Sequence, residues 1–273
     1  NNICRACAAL AYTAAALAFG FSGKTAGKTF LRIPVCLTGA QIPIYLPGGD
    51  GRFNVENLFK VLNEAMNEGV SDVMVNFWNR ILLGCRALKV SEREFEAFKS
   101  LAYSDVGSID AMGVHLNTNL LKNRKNAERG VDNLLTNFDE GVIGIDLVPG
   151  LRPSVVSNFN TKDISAILLK ALGEGNVCTE GELNMLPTIK KIVMEYKKPI
   201  FLTTKFPGGK VTSSQYETGI EAIKAGAIAC YDHTDVAVDV KVRWLIGNGI
   251  CSTIEDFRKA MKTSYAGEVT QPE

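Results

Sequence analysis

Short apolar runs rich in β-branched residues alternate along the chain with segments of helical periodicity. Apolar runs of about four to eight residues are typical of strands buried in a parallel sheet, and helices are the usual connections between such strands. The pattern predicts strands at residues 34–38, 72–77, 142–147, 166–171 and 199–203. It therefore predicts an α/β fold.

Helices are predicted between several of these strands. Residues 54–67 place Leu58, Val61 and Ala65 on one face, as an amphipathic helix requires. Similar periodicity predicts helices at residues 182–196 and 216–225. These segments are suited to cross over between parallel strands on the faces of a sheet.

Residues 6–21 form the most apolar run, which carries no charge and is rich in Ala. The run is shorter than the roughly 20 residues of a membrane-spanning helix, so no membrane span is predicted. Ala is the best helix former, which favours a buried, closely packed helix. A cleaved secretory signal is the alternative interpretation.

Residues 117–138 are the most polar stretch of the chain, rich in Asn and with a charge cluster at 122–129. Solvated segments of this kind commonly connect domains. The stretch is predicted to link two domains, residues 1–125 and 126–273. The alternative is that its basic residues form a binding strip.

The balance of charge limits the classes of partner. Lys and Arg number 30 and Asp and Glu 29 among 273 residues. The formal net charge of +1 provides no broad field that attracts nucleic acid or anionic lipid. Protein partners are therefore favoured over nucleic acid.

The seven cysteines are an odd number without a repeated metal-ligand spacing, and the two histidines, His115 and His233, are far apart. Free thiols in a reducing intracellular compartment, the cytoplasm or an organelle matrix, are favoured over disulfides. No metal site is predicted.

Glycine-rich turns follow several predicted strands, at the edge of an α/β sheet where ligands usually bind. With their flanking residues they belong to an ordered set of motifs: AYTA at 11–14, LTGAQIP at 37–43, DGR at 50–52, GEGN at 173–176, YETG at 216–219 and GE at 267–268. This set resembles the asparaginase and glutaminase family, most closely its type I cytosolic L-asparaginases. The resemblance extends over almost the whole chain.

The resemblance implies an asparaginase fold, with two Rossmann-like α/β domains whose sheets are mainly parallel. Members of the family hydrolyse the side-chain amide of Asn, and sometimes of Gln, with a Thr nucleophile and without a cofactor. One catalytic Thr lies in a TGGT turn that the resemblance places before Asn1, so the N-terminal domain is expected to be incomplete. No cofactor is predicted.

The second catalytic motif of the family is a GTDT loop whose Thr and Asp work with a Lys. It aligns with residues 6–9, so that Cys7 occupies the Thr position and Ala8 the Asp position, while Ile33 occupies the Lys position. The resemblance thus implies that no catalytic residue is retained. A thiol nucleophile at Cys7 is the alternative, but Ala8 and Ile33 supply no group that activates a thiol.

Two further positions are candidates for substrate binding. Asn176 matches a family residue that reaches into the site of a neighbouring subunit, and Asp50 belongs to the DGR motif. Both also have structural interpretations: Asn176 holds a turn through its side chain, and Asp50 caps the helix predicted to start at Asn54.

These departures predict a catalytically degenerate member of the family that acts as a structural or interaction subunit. It is expected to form a homo-oligomer or to belong to a larger assembly. Two alternatives remain open. One is an active L-asparaginase that hydrolyses L-asparagine to L-aspartate and ammonia, and the other is a protein that binds an amino acid without hydrolysing it.

Overall fold

The computed structural model describes residues 3–123, 125, 127, 134–211 and 217–270, without the side chains of residues 3–8, 217 and 218. The chain divides into two compact units. Unit 1 comprises Asn1–Thr136 and Tyr265–Gly267, and unit 2 comprises Asn137–Ser264 and Glu268–Glu273. The expected domain division between residues 125 and 126 stays a prediction.

The described part of unit 1 combines helices with a five-stranded sheet. Its elements are α1 (Ile3–Gly20), β1 (Val35–Leu37), α2 (Gly51–Asn67), β2 (Val73–Phe77), β3 (Arg80–Leu83), β4 (Leu88–Lys89), β5 (Phe98–Lys99), β6 (Gly107–Asp110), β7 (Gly113–Leu116) and a 3-10 turn at Thr118–Leu120. The sheet has the order β1-β2-β3-β6-β7, and β4 pairs separately with β5.

The unit 1 sheet is mixed. Strands β1 and β2 are parallel, whereas the pairs β2 with β3, β3 with β6, and β6 with β7 are antiparallel. Trp78 and Asn79 alone connect β2 to β3, and Ala111 and Met112 alone connect β6 to β7. Two residues can close an antiparallel hairpin, but a parallel pair needs a crossover of roughly a dozen residues. These short turns therefore produce a mixed sheet where a mainly parallel one was predicted.

The described part of unit 2 is a four-stranded sheet with its connecting helices. Its elements are β8 (Val142–Asp146), α3 (Pro153–Asn158), β9 (Ala166–Ala171), a 3-10 turn (Gly181–Leu183), α4 (Leu186–Lys190) with a π-helical turn (Lys191–Glu195), β10 (Ile200–Thr204), α5 (Glu217–Lys224), β11 (Ile228–Ala229), α6 (Asp235–Gly247) and α7 (Ile254–Lys262). The strand order is β11-β10-β9-β8, and every ladder is parallel, as predicted.

The predicted strands correspond to β1, β2, β8, β9 and β10, which confirms the α/β fold class. The Ala-rich run is helical in α1, where Ala14, Ala15 and Phe19 are fully buried. Small side chains let this helix pack closely. Among the described residues, no helix has both the length and the hydropathy that a membrane crossing requires.

The first part of the polar stretch is attached to unit 1. The backbone N–H of Lys122 donates to Asp72 Oδ2 at 3.1 Å, and Lys122 Nζ donates to the carbonyl of Tyr265 at 2.9 Å. Leu121 is buried and residues 122–123 are half-buried, so these residues are docked, because buried Asp72 needs donors, whereas residues 117–119 are exposed. Several residues of the charge cluster lie outside the described ranges.

Candidate functional site

The turn after β1 lies at the carboxyl ends of the two parallel strands of unit 1. Thr38 Oγ1 donates to the carbonyl of Asn76 at 2.7 Å, which ties this turn to the end of β2. The carbonyl of Gly39 accepts from Asn54 Nδ2 at 2.9 Å. The glycine turn is therefore attached both to the neighbouring strand and to α2.

Asp50 fixes the same turn from the start of α2. Its carboxylate is 2% exposed and accepts hydrogen bonds from the backbone N–H groups of Gln41 and Ile42 and from Asn54 Nδ2, each at 3.0 Å. Asp50 occupies the N-cap position, but its side chain makes no cap hydrogen bond, and α2 begins at Gly51 rather than at Asn54. The capping interpretation is wrong, because the carboxylate is committed to the turn. Substrate binding by Asp50 stays a prediction.

Asn54 joins α2 to the hairpin after β2, a role that the sequence pattern did not predict. Its Oδ1 accepts from the backbone N–H of Trp78 at 3.0 Å. Trp78 has a positive φ of 55° and lies between the rings of Phe53 and Phe95, at centroid distances of 4.7 and 5.2 Å. Asn54 lies four residues before Leu58, so it belongs to the apolar face of α2. In the sequence, this role is indicated by a polar residue on the apolar face of a helix.

The positions that the resemblance assigns to catalysis lie in α1 and before β1. The backbone of residues 6–9 is helical within α1, where the family alignment implied a loop. Three of these four residues are Ala, which favours helix over a turn. The side chains of Cys7 and Ala8 lie outside the described part. Ile33 precedes β1 and is 63% exposed.

Cys36, Cys85, Cys178, Cys230 and Cys251 are free thiols. Burial raises the pKa of Cys36 to about 12, and burial together with the nearby Asp256 carboxylate raises the pKa of Cys251 to about 12. Burial also raises the pKa of Cys230. A thiol nucleophile must ionise, and burial disfavours the thiolate form of Cys36, Cys230 and Cys251. Among the described residues, no group of three His, Cys, Asp or Glu side chains is placed to hold a metal ion.

The GEGN motif of unit 2 forms the turn after β9. Gly173 and Gly175 have φ values of 52° and 103°, in the region that favours glycine. A Cβ at Gly175 would lie 2.8 Å from Val211 Cγ1, and a Cβ at Gly173 would lie 3.0 Å from Asn176 Nδ2. The backbone conformation favours glycine at both positions, and at Gly175 the contact with Val211 also opposes a larger residue.

Asn176 lines a cavity of about 370 Å³ at the carboxyl ends of β8 and β9. The lining is mostly apolar and includes Leu147, Leu172 and Met185, with the exposed Cys178 at its margin. This volume is within the range of small-molecule sites. The backbone N–H of Asn176 donates to the carbonyl of Leu172 at 2.8 Å, so the residue also belongs to the turn itself. Substrate binding by Asn176 stays a prediction.

Unit 2 also contains a buried ion pair. Lys241 Nζ lies 2.6 Å from Glu268 Oε1, and both side chains are 0% exposed. Lys241 also donates to the carbonyl of Thr263 at 2.8 Å and contacts His233 Nε2 at 3.1 Å. His233 Nδ1 lies 2.6 Å from the carbonyl of Cys230, so this nitrogen carries the proton and Nε2 accepts from Lys241. The cluster is enclosed in the fold, which assigns it a structural role.

Two family models match this chain, one in each unit. A model of the asparaginase N-terminal domain matches residues 6–122, and a model of the glutaminase/asparaginase C-terminal domain matches residues 142–261. The chain therefore belongs to the asparaginase and glutaminase family, as the motifs predicted.

Several L-asparaginases are similar to this chain. The enzyme of Thermococcus kodakarensis is 31% identical over 261 residues, which cover 96% of this chain and 73% of that protein. L-asparaginase 1 of Escherichia coli K12 is 29% identical, with coverage of 96% and 72%. The solved structure of the T. kodakarensis enzyme superimposes with a TM-score of 0.80 at 29% identity, covering 97% of this chain and 74% of that one.

Other relatives are named as subunits of an amidotransferase rather than as L-asparaginases. One subunit of the glutamyl-tRNA(Gln) amidotransferase of Pyrococcus abyssi is 28% identical over 269 residues, which cover 96% of this chain and 57% of that protein. The family thus includes both L-asparaginases and a component of an amidotransferase.

Proposed function

We propose that this chain is an asparaginase-family protein without amidohydrolase activity that serves as a subunit of a protein assembly. The observation that carries the proposal is the set of residues at the aligned catalytic positions, Cys7, Ala8 and Ile33. A Thr hydroxyl becomes a nucleophile only when a neighbouring group accepts its proton. The aliphatic side chains of Ala8 and Ile33 can neither accept a proton nor stabilise an anion.

The local structure supports the same proposal. Residues 6–9 continue the helix α1, and Ile33 presents an exposed aliphatic side chain at the entry to β1. The described thiols Cys36, Cys230 and Cys251 do not replace the missing nucleophile, because burial keeps them protonated.

A role in an assembly is supported by features of unit 2 and by the relatives. The GEGN turn keeps Asn176, which in the family reaches a neighbouring subunit's site. The relative from the P. abyssi amidotransferase is, by its name, one component of a larger enzyme. We propose that this chain associates with copies of itself or with another protein in a reducing intracellular compartment, the cytoplasm or an organelle matrix.

The loss of activity is tested by measuring ammonia release from L-asparagine and L-glutamine with the complete protein. We expect no turnover above the buffer rate for the wild type or for Cys7→Ala. Cys4→Ala is the matched control, because this cysteine also belongs to α1 but does not lie at an aligned catalytic position. Turnover that Cys7→Ala abolishes and Cys4→Ala preserves would contradict the proposal and establish a cysteine amidohydrolase.

The subunit role is tested by the mass of the native particle. We expect a mass of at least twice that of one full-length chain when the protein is analysed by light scattering after gentle isolation from its own cells. A strictly monomeric mass, both in the extract and after purification, would contradict this part of the proposal.

A further inference from the structure

A second cavity, of about 200 Å³, lies at the edge of the unit 2 sheet. Helix α7 packs against the edge strand β11 at this place. Ile223 of α5, together with Ile228 and Ala229 of β11, forms the apolar part of the lining. Ile228 and Ala229 are only 2% and 8% exposed, so this part is the outer surface of the core.

The remaining lining is strongly charged. Helix α7 contributes Arg258, Lys259 and Lys262, and its one acidic lining residue is Glu255. Three positive side chains and one negative side chain give the lining a net charge of +2 at neutral pH. The chain as a whole has a formal net charge of only +1, so this concentration of positive charge is local.

Arg258 is anchored in a way that leaves donors available. Its Nη2 donates to the carbonyl of Gly226 at 2.9 Å, which holds the half-buried guanidinium beside the end of α5. A guanidinium has five N–H donors in a planar fork, and Gly226 accepts from one of them. The planar fork matches the oxygen atoms of a carboxylate or a phosphate.

Tyr231 completes the lining and has an unusual backbone. Its φ is 50°, which is rare for a bulky residue. Two backbone hydrogen bonds with Val211, each 3.0 Å long, hold it there. Burial, with a contribution from the Cys230 thiol, raises the pKa of Tyr231, while the charge of Arg258 acts in the opposite direction. The hydroxyl therefore remains a proton donor at neutral pH.

The helix dipole explains only some of these features. Lys259 and Lys262 lie in the last turn of α7, where cations are favoured next to free carbonyl groups. The dipole accounts neither for the bond from Arg258 to Gly226 nor for the left-handed backbone of Tyr231. Strained residues of this kind cluster at sites that hold ligands.

We propose that this cavity binds a phosphate monoester whose short apolar group lies against Ile223, Ile228 and Ala229. A phosphate monoester carries a charge of about −1.5 to −2 at neutral pH, which complements the charge of the lining. Arg258 and the lysines surround the phosphate oxygens, and Tyr231 donates a further hydrogen bond. The small volume limits the organic group to roughly one ring or a short chain.

The test is calorimetric titration of the complete protein with phenyl phosphate, inorganic phosphate and benzoate. We expect phenyl phosphate to bind at least about tenfold more tightly than either of the other two. The affinity should fall as salt is added, because the contacts are ionic. Absence of saturable binding by phenyl phosphate at millimolar concentration would overturn the proposal. Equal affinity for inorganic phosphate would overturn the role of the apolar surface.

Variants of the lining residues test whether phenyl phosphate binds in this cavity. Lys259 and Lys262 are exposed, so the double change Lys259→Gln and Lys262→Gln should leave the fold intact and weaken phenyl phosphate binding by about tenfold or more. Lys190→Gln, an exposed lysine in the last turn of α4, is the matched control and should bind as the wild type does.

Tyr231→Phe removes only the hydroxyl, and we expect it to weaken binding several-fold. Unchanged affinity in the double lysine variant, or equal losses in that variant and in Lys190→Gln, would show that the cavity is not the site.

Discussion

Two buried carboxylates, Asp50 of unit 1 and Glu268 of unit 2, are stabilised in different ways. In unit 1, Asp50 accepts from two backbone N–H groups and from the amide of Asn54, all of them neutral donors. In unit 2, Glu268 pairs with the ammonium of Lys241 where both side chains are fully buried. Loss of the carboxylate leaves unpaired neutral donors in the first case and an unpaired charge in the second. A buried charge is the more unfavourable of the two.

The turns that follow parallel strands differ in a related way. The turn after β1 is held by polar side chains, Asp50 at the N-cap position of α2 and Asn54 in its first turn. The turn after β9 relies on Gly173 and Gly175 and borders a cavity through Asn176. The first turn is committed to the fold, whereas the second leaves room for a ligand.

The largest effect is expected from Glu268→Gln. The change leaves the Lys241 ammonium buried without its counter-charge, and we expect a loss of about 3–5 kcal/mol in the free energy of unfolding. The chain has two tryptophans, Trp78 in unit 1 and Trp244 in unit 2. Urea unfolding followed by fluorescence in a Trp78→Phe background therefore reports on unit 2.

Two further variants control this experiment. Glu182→Gln, an exposed carboxylate of unit 2, should change the stability by less than about 0.5 kcal/mol. Replacing both partners, Lys241→Met with Glu268→Leu, should recover most of the loss because neither charge of the pair then remains buried. A cost below about 1 kcal/mol for Glu268→Gln alone would contradict the buried ion pair.

Asp50→Ala should have the next largest effect. It leaves the N–H groups of Gln41 and Ile42 and the amide of Asn54 without their acceptor, and we expect a loss of about 3 kcal/mol. Hydrogen exchange of the peptide that spans residues 37–43 should accelerate. Asp50→Asn keeps the shape but directs an NH₂ group at donors, so it should recover only part of the loss. Full recovery would show that the donors need no anionic acceptor.

Gly175→Ala should destabilise the turn after β9 by about 2 kcal/mol, since the φ of 103° is unfavourable for alanine and the new Cβ meets Val211. Gly181→Ala is the matched control, because its φ is 60° but its Cβ would meet nothing within 4 Å. Urea unfolding that gives equal losses for the two variants would mean that backbone conformation, and not the contact with Val211, is what requires glycine at 175.

The smallest effect is a dependence on pH. Burial raises the pKa of Asp72, although the charge of Lys122 opposes this. The folded protein then retains a proton that the unfolded chain has lost, so stability falls as pH rises through and above the ordinary pKa of Asp. The wild type should therefore gain stability relative to Asp72→Asn as pH decreases from about 6 to about 4.

Asp256 provides a comparison with the opposite sign. A hydrogen bond from the Thr253 hydroxyl, followed by those from the backbone N–H groups of Ser252 and Thr253, lowers the pKa of this exposed carboxyl. Its stabilisation is present above the ordinary pKa and is lost as pH falls. The wild type should lose its advantage over Asp256→Asn in acid, as followed by urea unfolding. Parallel pH profiles for the two variants would contradict the contrast between the raised pKa of Asp72 and the lowered pKa of Asp256.

Local patterns in the sequence predicted much of the sheet. Apolar runs identified β1, β2, β8, β9 and β10, since burial on both faces imposes a continuous apolar pattern. The antiparallel hairpins of unit 1 were missed, because β3 is only Arg80–Leu83 and its turn of Trp78 and Asn79 lacks the usual glycine. Helix α4 was predicted, but its π-helical continuation was not.

The candidate site was predicted unevenly. The motifs placed Asp50 and Asn176 at the carboxyl ends of strands, where the structure has them. The pattern did not predict that Asp50 accepts hydrogen bonds from Gln41 and Ile42. It also did not predict that Asn54 accepts one from the hairpin after β2. Sequence motifs indicate which turn a residue belongs to, but they do not indicate which atoms form hydrogen bonds with its side chain.

The sequence by itself determined the α/β class and the family, because these depend on local periodicity and on residue identity. Only the tertiary structure decided the partners of Lys241, the enclosure of Asp50 and the gathering of Arg258 with Tyr231 beside β11. These contacts join residues from different segments of the chain. Their distances follow from how the elements pack, and spacing along the sequence carries no information about that packing.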